Sequence, residues 1–74
     1  MRKSIYMATI KKFMRNHPSV FSMKINEPNN DRSGYVVICE FQKGKTKIKA
    51  SWEGKSLKKA LDNASYAITG FKGF

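Results

Sequence analysis

The chain has 74 residues, 15 of them lysine or arginine against five aspartates and glutamates, for a formal net charge of +10 at neutral pH. That length excludes a second domain, so residues 1–74 are read as a single small basic domain whose one core supplies only a few kcal/mol of net stability. A hydrophobic fraction of 41% argues for a folded chain, while 27% charged residues of mostly one sign call for a polyanion that relieves self-repulsion, nucleic acid being the commonest.

In chain order, residues 4–15 are expected to form a helix. Ser4 serves as a cap, and Tyr6, Met7, Ile10, Phe13 and Met14 make one apolar stripe. Lys11, Lys12 and Arg15 take the other side, with Arg2 and Lys3 ahead of them. Asn16 can close the helix, because His17 precedes Pro18, a position that disfavours helical geometry. His17, at a helix end, is read as a surface or capping residue. Residues 20–26 alternate as a strand, with Phe21, Met23 and Ile25 on the core side and Ser22, Lys24 and Asn26 on the other. Residues 27–34 are dense in turn formers and are expected to be a mobile surface loop.

Residues 35–42 alternate again, with Tyr35, Val37, Cys39 and Phe41 assigned to the core. Cys39, the only cysteine, cannot form an internal disulfide, and its place in an apolar run fits a small buried hydrophobe in a reducing compartment. A turn at Lys43 and Gly44 leads to a third strand. There Thr46, Ile48, Ala50 and Trp52 alternate with Lys45, Lys47, Lys49 and Ser51, so one side is core and the other cationic. After Gly54 the period changes. Leu57, Ala60, Leu61, Ala64 and Ile68 recur at the spacing of a helix face, with Ser56 as N-cap. In the tail, Phe71 and Phe74 are expected to fold back over the core edge.

The predicted fold is therefore α+β, in the order α-β-β-β-α, with a three-stranded antiparallel sheet and both helices packed on one face. The expected core comprises Ile10, Phe13, Phe21, Met23, Ile25, Val37, Cys39, Phe41, Ile48, Trp52, Leu57, Leu61 and Ile68. The opposite sheet face would be exposed and carry Lys24, Lys45, Lys47 and Lys49. Lys55, Lys58 and Lys59 crowd the mouth of the last helix, whose free amides and dipole already favour anions. Three cations there oppose the dipole, a local conflict that a bound phosphate would relieve. The candidate nucleic-acid contacts are thus Lys55, Ser56, Lys58 and Lys59 at the helix mouth, Lys45, Lys47 and Lys49 on the third strand, and Lys11, Lys12 and Arg15 on the first helix.

This element order, with the segment Gly54-Lys55-Ser56-Leu57-Lys58-Lys59-Ala60-Leu61-Asp62-Asn63-Ala64, resembles the double-stranded RNA-binding domain. Ser56, Lys58, Ala60 and Ala64 fall on family-like positions, which implies phosphate binding at Lys58 and Ser56. Leu57 and Leu61 stand where the family usually has lysines, Lys59 where a variable residue is usual, and the loop at 27–34 lacks the Gly-Pro-x-His that enters the RNA minor groove. Minor-groove recognition is therefore not carried over. Residues 35–67 also look like the three-stranded DNA-binding domain of phage-type integrases, whose sheet face enters the major groove, although the first helix is not expected there.

The acids Glu27, Asp31, Glu40, Glu53 and Asp62 show no pair at catalytic spacing. There is no phosphate-cradling glycine loop and no metal-ligand cluster, so neither enzyme activity nor a cofactor is expected. Trp52 should be core and Tyr66 exposed, and no aromatic is expected on the lysine face of the third strand, which argues against stacking of single-stranded bases. The expected function is backbone binding to duplex RNA or DNA. The alternatives are a sheet-face DNA-binding module and, by size and composition, a small phage-type inhibitor or adaptor that binds a host protein. The expected state is a cytoplasmic monomer or weak homodimer without membrane association, since edge strands can pair between chains and no apolar run reaches the length of a signal peptide core or a membrane span.

Overall fold

The computed structural model describes residues 6–70. Ser4, Arg2, Lys3, Phe71 and Phe74 lie outside the described residues. The elements are α1 (Met7–Asn16), β1 (Val20–Asn26), β2 (Tyr35–Lys43), β3 (Thr46–Gly54) and α2 (Leu57–Thr69). The strands form one antiparallel sheet in the order β1-β2-β3. Both helices cover the same face, because Phe13 of α1 shares one core with Ala60, Leu61 and Ala64 of α2 and with Val20, Val37 and Cys39 of the sheet.

Cross-strand rows explain that core. Val20, Phe41 and Ile48 are aligned across the three strands, as are Met23, Cys39 and Ala50, and Ile25, Val37 and Trp52. Small Cys39 and Ala50 leave room over the middle strand for the helices, while Phe41 and Trp52 flank them with ring centroids 6.4 Å apart. Cys39 and Val37 are fully buried, and α2 lays its Ala60–Ala64 edge against them.

The first strand departs from simple alternation. Val20 is paired with Phe41 and Ser22 with Glu40, so Phe21 is an extra residue in a β-bulge. The bulge shifts the two-residue phase by one. Val20 turns inward at 4% exposure, whereas Phe21, expected in the core, stands outward at 48%. Ile10 and Ile48 are half-buried, and Met23, Ile25, Phe41, Trp52, Leu57 and Ile68 pack against the core as partly buried residues.

His17 also departs from expectation. It is buried, its ring lies 4.0 Å from that of Phe13 at an interplanar angle of 10°, and it joins α1 to α2. Nδ1 donates to the Phe13 carbonyl at 2.7 Å, and Nε2 lies 2.8 Å from Ser65 Oγ. A carbonyl can only accept, so Nδ1 carries a proton, and Nε2 shares its hydrogen bond with the Ser65 hydroxyl. The helix end that Pro18 enforces thus becomes a polar clamp inside the core.

The β2–β3 hairpin turns on Gly44 and Lys45, one residue later than the sequence suggests, with Lys43 paired to Thr46. Gly44 has φ 63°, and no described non-glycine residue has positive φ. A left-handed first position followed by an ordinary second one suits a two-residue turn with glycine leading, which places Lys45 at the tip rather than in the strand. The 27–34 loop, expected to be mobile, is tied together. Asn29 and Arg32 exchange backbone hydrogen bonds of 2.8 and 3.2 Å, and the Arg32 guanidinium donates to the carbonyls of Glu27 and Gly34.

Candidate nucleic-acid interface

The mouth of α2 is built by close backbone packing. Ser56 is extended, its Oγ accepts from the Lys59 amide at 3.2 Å, and its carbonyl accepts from Ala60 N at 3.0 Å. This is the N-cap the sequence predicts. Gly54 lets the first turn of the helix rest on the end of β3, since a Cβ there would stand 2.3 Å from Ala60 N and 2.7 Å from the Lys59 carbonyl carbon. Asn63 Nδ2 donates to the Glu53 carbonyl at 2.8 Å and pins the same corner. Lys55, Lys58 and Lys59 are exposed around it.

That corner is not purely cationic. Glu53 and Lys55 line one shallow depression with Ser33, Gly34 and Gly54, and Asp31 belongs to the adjoining loop. Glu27, at the base of that loop, accepts from the Tyr6 hydroxyl at 2.9 Å. Loss of solvent at the junction of α1 with the loop, followed by the hydrogen bond to Glu27 and its charge, pushes the Tyr6 phenol up to about 12. Three of the five acids therefore sit at the end of the molecule that carries the α2 mouth.

The outward face of the sheet is different. Its middle rows run Lys24, Ile38, Ser51 and Ser22, Glu40, Lys49, with Gln42 opposite Lys47 beyond them. Lys24, Lys47 and Lys49 are exposed, and Lys43 and Lys45 continue the cationic surface around the hairpin. Glu40, opposite Lys49, is the acid within these rows; Glu53 stands at the far end of β3, opposite Val36. Phe21 joins this face through the bulge, with the Lys47 ammonium 5.7 Å from its ring centroid, within cation–π range. An aromatic thus lies on the lysine face after all. The alternation of β1 hides it, because a bulge changes phase without changing residue type.

Lys11, Lys12 and Arg15 are exposed on α1, whose opposite side buries Phe13. The ten sequence-predicted site residues therefore separate into three patches. The rise of about 3.3 Å per strand residue sets Lys47 roughly 23 Å along β3 from Gly54, the residue before Lys55. The outward sheet face and the helices occupy opposite sides of the two layers, so no one flat surface reaches both.

Other chemistry is sparse. Cys39 is buried, and burial pushes its thiol up to about 11. Among the described residues no group of three histidine, cysteine, aspartate or glutamate side chains comes together as a metal site. No helix among them is long and apolar enough to cross a membrane. No protein-family model matches this chain, and no curated protein or solved structure matches it either.

Proposed function

We propose that this protein binds nucleic acid through backbone phosphates, using the outward face of the sheet and the β2–β3 hairpin. The supporting observation is the segregation of charge. Lys24, Lys43, Lys45, Lys47 and Lys49 are exposed on that face and its hairpin, with Glu40 among them, whereas Glu27, Asp31 and Glu53 gather at the other end. A predominantly positive field over a strand surface attracts a polyanion and releases its counterions. The hairpin, rather than the α2 mouth, offers the stronger such field.

A second reading rests on a separate observation. Gly34 and Gly54 meet so closely that a Cβ on Gly34 would stand 2.8 Å from the Gly54 carbonyl oxygen, which sets the β1–β2 loop beside the α2 mouth. That juxtaposition suits duplex RNA held by Lys58 and Lys59, in keeping with the resemblance to the double-stranded RNA-binding domain.

Two charge-reversal pairs test the choice. Lys47→Glu with Lys49→Glu alters the sheet face, and Lys58→Glu with Lys59→Glu alters the helix mouth; all four side chains are exposed. Four phosphate contacts by the sheet face give a slope of log K against log salt of about −4 on a duplex or about −3 on a single strand. The sheet pair should weaken binding most and lower the slope by about two, since each lost contact removes about one. If the mouth pair abolishes binding to duplex RNA while the sheet pair leaves the slope intact, the second reading replaces the first. Affinity indifferent to salt would remove both, and the cationic surface would then serve an acidic protein partner.

A further inference from the structure

The bulge in β1 puts an aromatic ring where simple alternation would have buried it. Phe21 is the extra residue between Val20 and Ser22, it is about half exposed, and its ring lies on the side of the sheet from which Lys47 approaches it. The segment entering the bulge is anchored, since Val20 N donates to the His17 carbonyl at 3.0 Å and Gln42 N donates to the Ser19 carbonyl at 2.9 Å. Phe21 is therefore held at a fixed place on the sheet rather than on a free loop. A phenylalanine in that position also makes a cation–π contact with the Lys47 ammonium, which is what a merely structural role would amount to. Such a role leaves half the ring in water beside the most cationic end of the molecule.

We infer that the outward sheet face is a platform for an unpaired base, so that its preferred ligand is single-stranded nucleic acid. The inference rests on the phosphate-binding reading of the same face and extends it. Phe21 offers a π-surface on which a base can lie flat, and its lack of polar atoms makes that contact tolerant of base identity. The exposed Lys47 side chain, whose ammonium lies over the ring 5.7 Å from its centroid, swings off that face as a base enters, which places it to meet the phosphate of the stacked nucleotide. Lys49 follows two residues along the same face, and Lys24 stands on β1 beyond half-buried Ile38. In a duplex the flat faces of the bases are covered by their neighbours, and only edges and phosphates meet a sheet surface. An exposed aromatic ring gains no stacking from those, but it does from a base without a partner.

The test compares oligothymidine with an abasic strand of equal length and charge, and with a duplex, by fluorescence anisotropy at low salt. The wild-type protein should bind oligothymidine about 5–150-fold more tightly than the abasic strand, the range one stacked base supplies. Phe21→Leu, which keeps an apolar side chain on the bulge, should bring that ratio close to one without changing the salt slope, while Phe21→Trp should preserve it. Far-UV circular dichroism checks that each variant is folded, and the wild-type comparison stands without any variant. Equal wild-type affinity for the thymidine and abasic strands overturns the stacking platform and leaves phosphate binding by the lysines intact. A ratio unchanged in folded Phe21→Leu, or a duplex bound more tightly than oligothymidine, also overturns it. Absence of binding to all three probes at low salt overturns both this inference and the reading beneath it.

Discussion

Replacing His17 should unfold a large share of this domain, because a single ring there serves both helices. A 74-residue chain with about 0.05–0.15 kcal/mol of stability per residue has roughly 4–11 kcal/mol in all. His17→Ala removes a buried ring stacked on Phe13 and two hydrogen bonds, to the Phe13 carbonyl and to Ser65. Deleting a buried aromatic ring costs about 3–5 kcal/mol, which approaches the whole of the lower stability figure. His17→Phe separates the components. It keeps the stacked ring and loses the polar contacts, and at about 0.5–1.5 kcal/mol net for each hydrogen bond it should cost about 1–3 kcal/mol. A double-mutant cycle of His17→Phe with Ser65→Ala should show coupling of about 0.5–1.5 kcal/mol, because both single changes break the same contact. Urea unfolding followed by Trp52 fluorescence and circular dichroism supplies the values. A loss below about 0.5 kcal/mol for His17→Ala, a typical figure for a surface substitution, would place the ring outside the core and refute the clamp.

The glycine at the β3–α2 corner and the buried thiol lend themselves to the same kind of test. Gly54→Ala should be worse than Gly44→Ala. Its Cβ would meet helix backbone at 2.3 Å, while the same atom on Gly44 meets nothing within 4 Å and only the left-handed φ is penalised; melting curves should show a loss of about 1–2 kcal/mol for Gly44→Ala and more for Gly54→Ala. Cys39 should resist maleimide at pH 8 in the native protein and react in urea. Because burial raises its thiol from 9.0 to about 11, the unfolded chain loses the proton first, so the contribution is complete below about pH 9 and disappears as pH rises through 11. Thermal melts of wild type and Cys39→Ala across that window should therefore converge as pH rises, and a constant gap would count against burial as the cause.

Much of the fold was legible in the sequence because each element carries its own local signal. The change from a two-residue period in Ile48, Ala50 and Trp52 to a helical one in Leu57, Ala60, Leu61 and Ala64 marks the corner at Gly54, and Ser56 caps the helix as its chemistry predicts. Local pattern also sets the antiparallel order and the sides of β2 and β3, since register follows when one face is apolar. The candidate lysines were legible as exposed cations, but not as three separate patches. Which of them share a surface depends on the packing of α1, the sheet and α2, and positions adjacent in sequence say nothing about opposite sides of two layers. His17 and Phe21 escaped for the same physical reason. Histidine before proline at a helix end carries no sequence sign of the Ser65 hydroxyl 48 residues away that satisfies its ring, and an alternating strand carries no sign of an added residue until its partner's register is known. The sequence by itself determined the elements, their order and the sign of the surface charge; tertiary pairing alone decided that Val20 faces the core and Phe21 the lysines, because a bulge exists only in the relation between two strands.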